Sequence, residues 1–334
     1  MRRYIAIFKP HSFLAMAELE HCNVCSSGEI SHLGILKPYL DFKTPIYECK
    51  SCHCRFAPRD ESVYELLHMS STSSYAGHKK YAAKLKKFFD GGNIDALKSH
   101  LSQTEKNRFI IEEIEGLGND LNILELGCSC GYLTSYAIKA GHNVLGIDVS
   151  KSAINEAREI FGDHFATVDE QAIQSKAPYD IIYHVGTIGC VEDPIKFTRD
   201  YLKLLKPDGI FAFNCPNVDH CQRLGRMWVP SCLPPDLVTL FSKRIWEEQF
   251  SGDAEVSINE ISENIARVNL SRWLLKFASK GYLFEDSHKN SGAVMGRILN
   301  RIISMLDRWG NTFGTRDVVP AEFGLHVTLR KKSS

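Results

Sequence analysis

The sequence predicts an α/β fold: a mostly parallel, doubly wound sheet, preceded by a small N-terminal unit stapled by a metal ion. Three observations lead there. Apolar runs of strand length alternate with helical patterns from Leu121 to Cys215, an order that builds parallel sheets. The first run enters a glycine turn, Asn122-Ile-Leu-Glu-Leu-Gly-Cys-Ser-Cys-Gly131, and the second, Asn143-Val-Leu-Gly-Ile-Asp148, closes on a carboxylate. Ahead of both stand two Cys-x-x-Cys pairs, Cys22-Asn-Val-Cys25 and Cys49-Lys-Ser-Cys52.

The cysteine pairs come first in the chain. Two such pairs at this separation specify a tetrahedral four-thiolate zinc site formed by Cys22, Cys25, Cys49 and Cys52. Each pair makes a tight knuckle that presents two sulfurs to one ion. A closed set of four thiolates leaves no open coordination position, so the metal is expected to be structural. The short apolar runs between Ile30 and Tyr47 suit a small β-ribbon. It has too little core to fold alone, so metal binding supplies much of its folding free energy. His53 and Cys54 lie just beyond the second knuckle and read as spare, though either could replace Cys52 as ligand. The chain has eleven cysteines, an odd number, which favours reduced thiols and a metal site over disulfides.

The strand–helix pattern then runs as follows. Leu121–Leu126 is strand one, and a helix over Gly131–Ala140 opens on the glycine turn. Asn143–Asp148 is strand two; Ser150 caps a helix that runs to about Phe161. Phe165–Val168 and Tyr179–Val185 are strands three and four. Asp193-Pro194 starts the next helix, which Lys206-Pro-Asp-Gly209 ends. Gly209–Cys215 is strand five. Glycines let the backbone approach a ligand, and a carboxylate at a strand end accepts hydrogen bonds from a ribose. The turn offers Gly127-x-x-x-Gly131 rather than Gly-x-Gly-x-x-Gly, so the signature for a dinucleotide pyrophosphate is missing.

Composition narrows the function classes. Forty basic and forty acidic residues cancel, which speaks against a chain devoted to phosphate backbones. No apolar run approaches the ~18 residues of a membrane span. The apolar stretch after Met1-Arg-Arg ends at Lys9-Pro10, too short for an export signal, so a cytoplasmic protein is expected.

Glu125-Leu-Gly-Cys-Ser-Cys-Gly131, Gly146-Ile-Asp-Val-Ser150 and Leu204-Leu-Lys-Pro-Asp-Gly209 together resemble the class I S-adenosylmethionine-dependent methyltransferases over roughly residues 105–216. The resemblance implies a Rossmann-like seven-stranded mixed sheet whose last strand is antiparallel. It implies S-adenosyl-L-methionine as cofactor, with Glu125, Gly127, Cys128, Ser129 and Gly131 in the loop under its methionine part. Asp148 takes the ribose, Val149 packs on the adenine, and Asp169 meets the adenine amino group; Glu170 and Val185 complete the set. The Glu-His that related small-molecule enzymes carry after strand four is absent, with Gly189-Cys190 in its place. An N-terminal zinc ribbon on this core is similar to bacterial methyltransferases of sugars and secondary metabolites.

The expected organisation is a zinc ribbon over 1–60, a helical linker or cap over 61–104, and the methyltransferase domain over 105–334. Within it, 217–281 is an excursion whose prolines and aromatics, Trp228, Trp246 and Phe250 among them, suggest a substrate lid. Helical patterns cover Leu270–Gly281 and Arg297–Trp309, and the last two strands fall at Tyr282–Asp286 and Gly324–Arg330. O-methylation of a sugar or natural-product intermediate is the leading expectation. A hydroxyl acceptor needs a base. His184, at the end of strand four, and His220, after strand five beside Asp219, are the candidates; Tyr75 and His78 could reach in from the linker. No Asn/Asp-Pro-Pro-Tyr follows strand four, which disfavours adenine or glutamine as acceptor. Two other readings exist. One is a zinc-ribbon ribosomal RNA guanine methyltransferase, drawing on the basic face of Lys79, Lys80, Lys84, Lys86 and Lys87. The other is a non-catalytic zinc-ribbon scaffold.

Overall fold

The computed structural model describes residues 19–36, 44–59, 64, 84–168, 170–223, 225–229, 234, 236–266 and 318–333. Eleven strands form two sheets among these residues. In chain order they are β1 (Ile30–Leu36), β2 (Thr44–Cys49), β3 (Arg55–Phe56), β4 (Asn122–Leu126), β5 (Asn143–Asp148), β6 (Phe165–Thr167), β7 (Tyr179–Val185), β8 (Leu205–Pro216), β9 (Thr239–Leu240), β10 (Ala254–Ala266) and β11 (Val318–Lys331).

The large sheet has the order β10-β11-β8-β7-β4-β5-β6. Strands β4 to β8 pair in parallel within it. Strand β11 runs antiparallel to both of its neighbours, β8 and β10. The expected mixed seven-stranded sheet with a reversed last strand is therefore present. Strand alternation buries both faces. Ile123, Val144, Ile181, Tyr183 and Ile210 meet the helices on one side, while Leu124, Ile147, Ile182, Phe211 and Phe213 belong to a core on the other that runs on to Tyr47 and Phe56 of the ribbon. Helix starts follow local chemistry. The Ser150 hydroxyl accepts from the Ala153 N–H at 3.3 Å, and the Asp193 carboxylate caps the Lys196 N–H at 2.9 Å with Pro194 in the first turn.

A strand that the sequence pattern did not mark, β10, Ala254–Ala266, lies inside the segment read as a lid. The reason lies in the residues. Ala254-Glu-Val-Ser-Ile258 alternates with the period of a half-buried strand, and it pairs with β11 along its whole length. Tyr282–Asp286, Leu270–Gly281 and Arg297–Trp309 lie outside the described residues. The aromatics of this segment are packed in the core. Trp228, Trp246 and Phe250 are fully buried, and Trp246 lies against Phe213, Phe241 and Phe250. Similarly, the stretch read as a linker contributes to the core: residues 84–90 are helical, and Leu85, Leu97 and Leu101 are fully buried with Ile110, Ile111 and Ile114 of the helix Glu105–Leu117. No helix among the described residues is long and apolar enough to cross a membrane.

The small sheet is β1-β2-β3-β9. Its first three strands are the expected ribbon. Its fourth comes from far along the chain: Arg55 pairs with Leu240 and Phe56 with Thr239. The seam is polar as well as apolar. The Ser242 hydroxyl donates to the Cys52 carbonyl at 2.6 Å, Asn23 Nδ2 donates to Thr239 Oγ1 at 2.7 Å, and the Arg55 guanidinium donates to the Arg226 carbonyl at 2.6 Å.

Candidate functional site

The site forms where β4 and β5 end side by side. Beyond Leu126 the chain turns at Gly127, φ +70°, and enters the helix Tyr132–Lys139 through Gly131, φ +81°. Both are positions that L side chains rarely adopt. A Cβ at Gly127 would overlap the Thr187 hydroxyl, and one at Gly131 would come within 2.7 Å of Phe165. The turn is tied to β5 by two N–H groups, Gly127 and Cys128, that both donate to the Ile147 carbonyl at 2.8 and 3.0 Å.

Asp148 ends β5 directly across from the turn. The Ser129 N–H donates to its Oδ2 at 2.9 Å and the Ser150 N–H to its Oδ1 at 2.8 Å. Two backbone donors thus fix the carboxylate plane, and each oxygen keeps acceptor capacity for a ligand. Ser129 holds φ +49°, a costly conformation for a non-glycine residue. Its hydroxyl is buried with no hydrogen-bond partner among the described residues. Beside Asp148, Val149 is half-buried, while Val168, just past β6, is 54% exposed. Sequence reasoning missed Val168; its position one residue after a short strand was the available signal. Asp169 lies outside the described residues, as does the side chain of Glu170.

Glu125 sits beneath the turn rather than facing outward, at 5% exposure. Thr134 and Tyr183 both donate to its Oε2, the latter at 3.1 Å. Burial pushes its carboxyl up to about 7, against the pull of those two hydroxyls. Its role in the geometry is to join β4, the following helix and β7. Cys128 is buried beside it, and burial raises its thiol.

The two candidate bases are both buried. His184 is fully buried and enclosed by Phe197, Phe211 and Phe213, with ring centroids 5.0–6.2 Å away. Neither ring nitrogen has a hydrogen-bond partner among the described residues. Burial pulls its pKa down to about 3. Strand alternation points this side chain into the ribbon-side core with Phe211 and Phe213. His220 is also buried, at 5% exposure, in the helix Val218–Arg223. Val185, at the end of β7, is half-buried. Tyr75 and His78 lie outside the described residues. Asn217 had no motif to mark it in the sequence. It is fully buried past the end of β8; its Oδ1 accepts from the Asp219 N–H at 2.9 Å, while its Nδ2 has no partner among the described residues.

The four cysteines converge as their spacing implied. The sulfurs of Cys22, Cys25, Cys49 and Cys52 all lie within 4.8 Å of one another. Cys22 and Cys52 are 3.7 Å apart, and Cys25 and Cys49 3.5 Å. A tetrahedral zinc with bonds of about 2.3 Å has sulfur–sulfur edges of about 3.8 Å. The Val24 N–H reaches Cys22 Sγ at 3.4 Å and the Cys52 N–H reaches Cys49 Sγ at 3.5 Å, as knuckle turns require. Cys54 stands outside this set and contacts Ser242. A separate cavity of about 330 Å³ between the ribbon and the helix Val218–Arg223 is lined by Leu33, Arg55, Gln222, Gly225, Arg226 and Met227; no residue of the glycine turn lines it.

The profile of a family described as a methyltransferase domain matches residues 80–252. A ubiquinone biosynthesis O-methyltransferase of Actinobacillus pleuropneumoniae serotype 7 is 29% identical over 129 residues, covering 35% of this chain and 55% of that protein. The protein of the same name from Caulobacter vibrioides is 34% identical over 97 residues, covering 27% and 38%. The chain spans about half the length of the curated relatives it matches. Among solved structures, the plantazolicin methyltransferase BpumL in complex with SAH is 16% identical with a TM-score of 0.39, over 75% of this chain and 90% of that one. A SAM dependent methyltransferase from Archaeoglobus fulgidus is 14% identical with a TM-score of 0.41, over 72% and 95%.

Proposed function

The chain belongs to the methyltransferase domain family, and from that premise we propose that it moves the methyl group of S-adenosylmethionine to an oxygen of a small molecule, a sugar or a natural-product intermediate. The observation that carries this reading is Asp148, held by the N–H groups of Ser129 and Ser150 beside the Gly127–Gly131 turn. The residues fit the cofactor. A carboxylate with spare acceptor capacity suits two ribose hydroxyls, the exposed face of Val168 suits a flat base, and the unpartnered Ser129 hydroxyl lacks a ligand inside the turn. When bound, the cofactor supplies a methyl group already activated on a sulfonium. What remains for the chain is to align the acceptor, exclude water and take up a proton.

Asp148 fixes the cofactor's orientation through its ribose. The turn, whose Gly127 and Cys128 N–H groups are held by the Ile147 carbonyl, presents a pre-shaped surface to the ligand. Past the end of β8, the Asn217 amide offers a buried donor for an acceptor oxygen, and Asp219 and His220 are the groups nearest in sequence for the acceptor's proton. His184 is left out of that role by its burial. The curated relatives carry the name O-methyltransferase, which supports oxygen as the accepting atom. Zinc in the four-cysteine site is a structural staple in this reading. On the face read as basic, Lys86 is paired with Asp90 at 2.7 Å.

Calorimetry with S-adenosylhomocysteine on the zinc-loaded chain tests the proposal. Binding that Asp148→Ala weakens by roughly 100-fold or more is expected, since two charge-assisted hydrogen bonds of about 1.5–3 kcal/mol each are lost. Absence of binding by the unaltered protein refutes it.

A further inference from the structure

We propose that the ribbon frames the cofactor turn, and that Arg59 is a positioning residue through which metal in the four-cysteine site and cofactor at Asp148 bind cooperatively. This rests on the function proposed above. The argument begins with residues 237–242, which face two ways. On one edge, Thr239 and Leu240 complete the ribbon's sheet through Phe56 and Arg55, and the Ala57 N–H donates to the Val238 carbonyl at 2.9 Å. On the other edge, the Val238 N–H donates to the Gly189 carbonyl at 2.9 Å, and Phe241 exchanges bonds with Pro216 and Val218 at the end of β8.

Gly189 belongs to the loop that leaves β7. It is held closely there, because a Cβ would come within 3.3 Å of the Thr239 carbonyl and would overlap Leu237. The next residue, Cys190, is also held from the ribbon side: Arg59 Nη1 donates to its carbonyl at 2.9 Å. Arg59 is itself stacked on the Tyr64 ring, 3.8 Å from the centroid. The Cys190 N–H closes the short turn on the Thr187 carbonyl at 3.0 Å. Thr187 then reaches the cofactor turn. Its hydroxyl donates to the Leu126 carbonyl at 3.2 Å and occupies the space a side chain at Gly127 would need.

The path from metal to cofactor is therefore short: hydrogen bonds from Ser242 to Cys52, Ala57 to Val238, Val238 to Gly189, Arg59 to Cys190 and Thr187 to Leu126, ending in the contact of the Thr187 hydroxyl with Gly127. A ribbon without its ion loses the folding free energy that holds β3 against β9. The loop after β7 then loses both of these ties, from Val238 and from Arg59, and the turn loses its buttress. Binding linkage is reciprocal, so the cofactor must hold the ion as strongly as the ion favours the cofactor.

The test uses the zinc-loaded full chain and follows zinc release to a colorimetric chelator, with and without saturating S-adenosylhomocysteine. The ligand is expected to slow release about tenfold, a typical coupling. In Arg59→Met the protection is expected to fall below about twofold at an unchanged zinc content, and Arg59→Lys, which keeps one donor for the Cys190 carbonyl, to restore part of it. Thr187→Val cuts the path at its other end while keeping the side chain's shape, and carries the test if Arg59→Met fails to hold zinc. Equal protection in the unaltered protein and both variants means that the ligand acts through global stability, and overturns the proposal. So does ligand binding with no effect on release in the unaltered protein. If the unaltered protein binds no S-adenosylhomocysteine by calorimetry, the proposed function fails first and this inference with it.

Discussion

His184→Leu separates a catalytic histidine from a buried one. The imidazole lies among three phenylalanine rings with no polar partner, and burial lowers its pKa to about 3. In the unfolded chain it titrates near its ordinary value of about 6.5. The folded state therefore binds fewer protons than the unfolded state between these values. The native protein is undisturbed by this group above pH 6.5 and loses about 1.4 kcal/mol for each unit of pH below it, until the folded pKa is reached. At pH 5 the loss is roughly 2 kcal/mol. Leucine has no such titration. Urea unfolding of both proteins at pH 7.5 and pH 5 should show the leucine variant gaining about 2 kcal/mol relative to the unaltered chain on going to the lower pH. Any packing difference cancels in that comparison. Methyl transfer at pH 7.5 should stay within about twofold, against the 100-fold or greater loss expected of a general base. A stability difference independent of pH refutes the burial argument, and a large loss of turnover in a folded variant refutes the exclusion of His184 from the chemistry.

Three further outcomes follow from the same geometry. Ser129→Ala removes a buried hydroxyl with no partner, so urea unfolding should show stability unchanged or raised, while S-adenosylhomocysteine binding weakens up to about tenfold, the worth of one hydrogen bond; an unaltered affinity shows that the hydroxyl does not touch the ligand. Glu125 has its folded pKa raised to about 7 by burial; the folded state binds the extra proton, so stability falls as pH rises from the ordinary carboxyl range through 7, and Glu125→Gln should gain more thermal stability at pH 8 than at pH 5. Equal gains at both pH values contradict the raised pKa. Cys49→Ser should cut zinc content, measured by elemental analysis, from one per chain to well below one, and a full equivalent retained would move the fourth ligand to another residue such as Cys54.

The central sheet and the glycine turn after β4 were readable because their signals are local. The boundaries of β5 and β7 coincide with the apolar runs that predict them, and Ser150 and Asp193 announce the helices they cap. The convergence of the four cysteines was readable because two knuckles need no distant partner. What escaped depends on residues far apart in sequence. Strands β3 and β9 have two residues each, too few for any periodic pattern, and exist because they pair with one another. The alternation at Ala254–Ile258 is local, but the strand's place in the sheet depends on pairing with β11, which begins at Val318, 52 residues after β10 ends at Ala266. His184 shows the remaining gap: alternation tells which face a strand residue takes, and only the packing of Phe197 and Phe213 shows that this face is sealed.

The shared strand β9 also sets a schedule for the chain's birth. Cys54 and the Ser242 it touches are 188 residues apart. At a synthesis rate of about 5–20 residues per second, the ribbon waits roughly 10–40 seconds on the ribosome before its fourth strand arrives. Throughout that interval β3 presents an unpaired edge, the kind of surface that recruits foreign strands. Early capture of zinc by the two knuckles, already complete at Cys52, would hold that edge short and rigid until Thr239 and Leu240 emerge to cover it. Starving cells of zinc during synthesis should therefore produce aggregated nascent chains, whereas the same starvation after synthesis should leave the finished protein in solution.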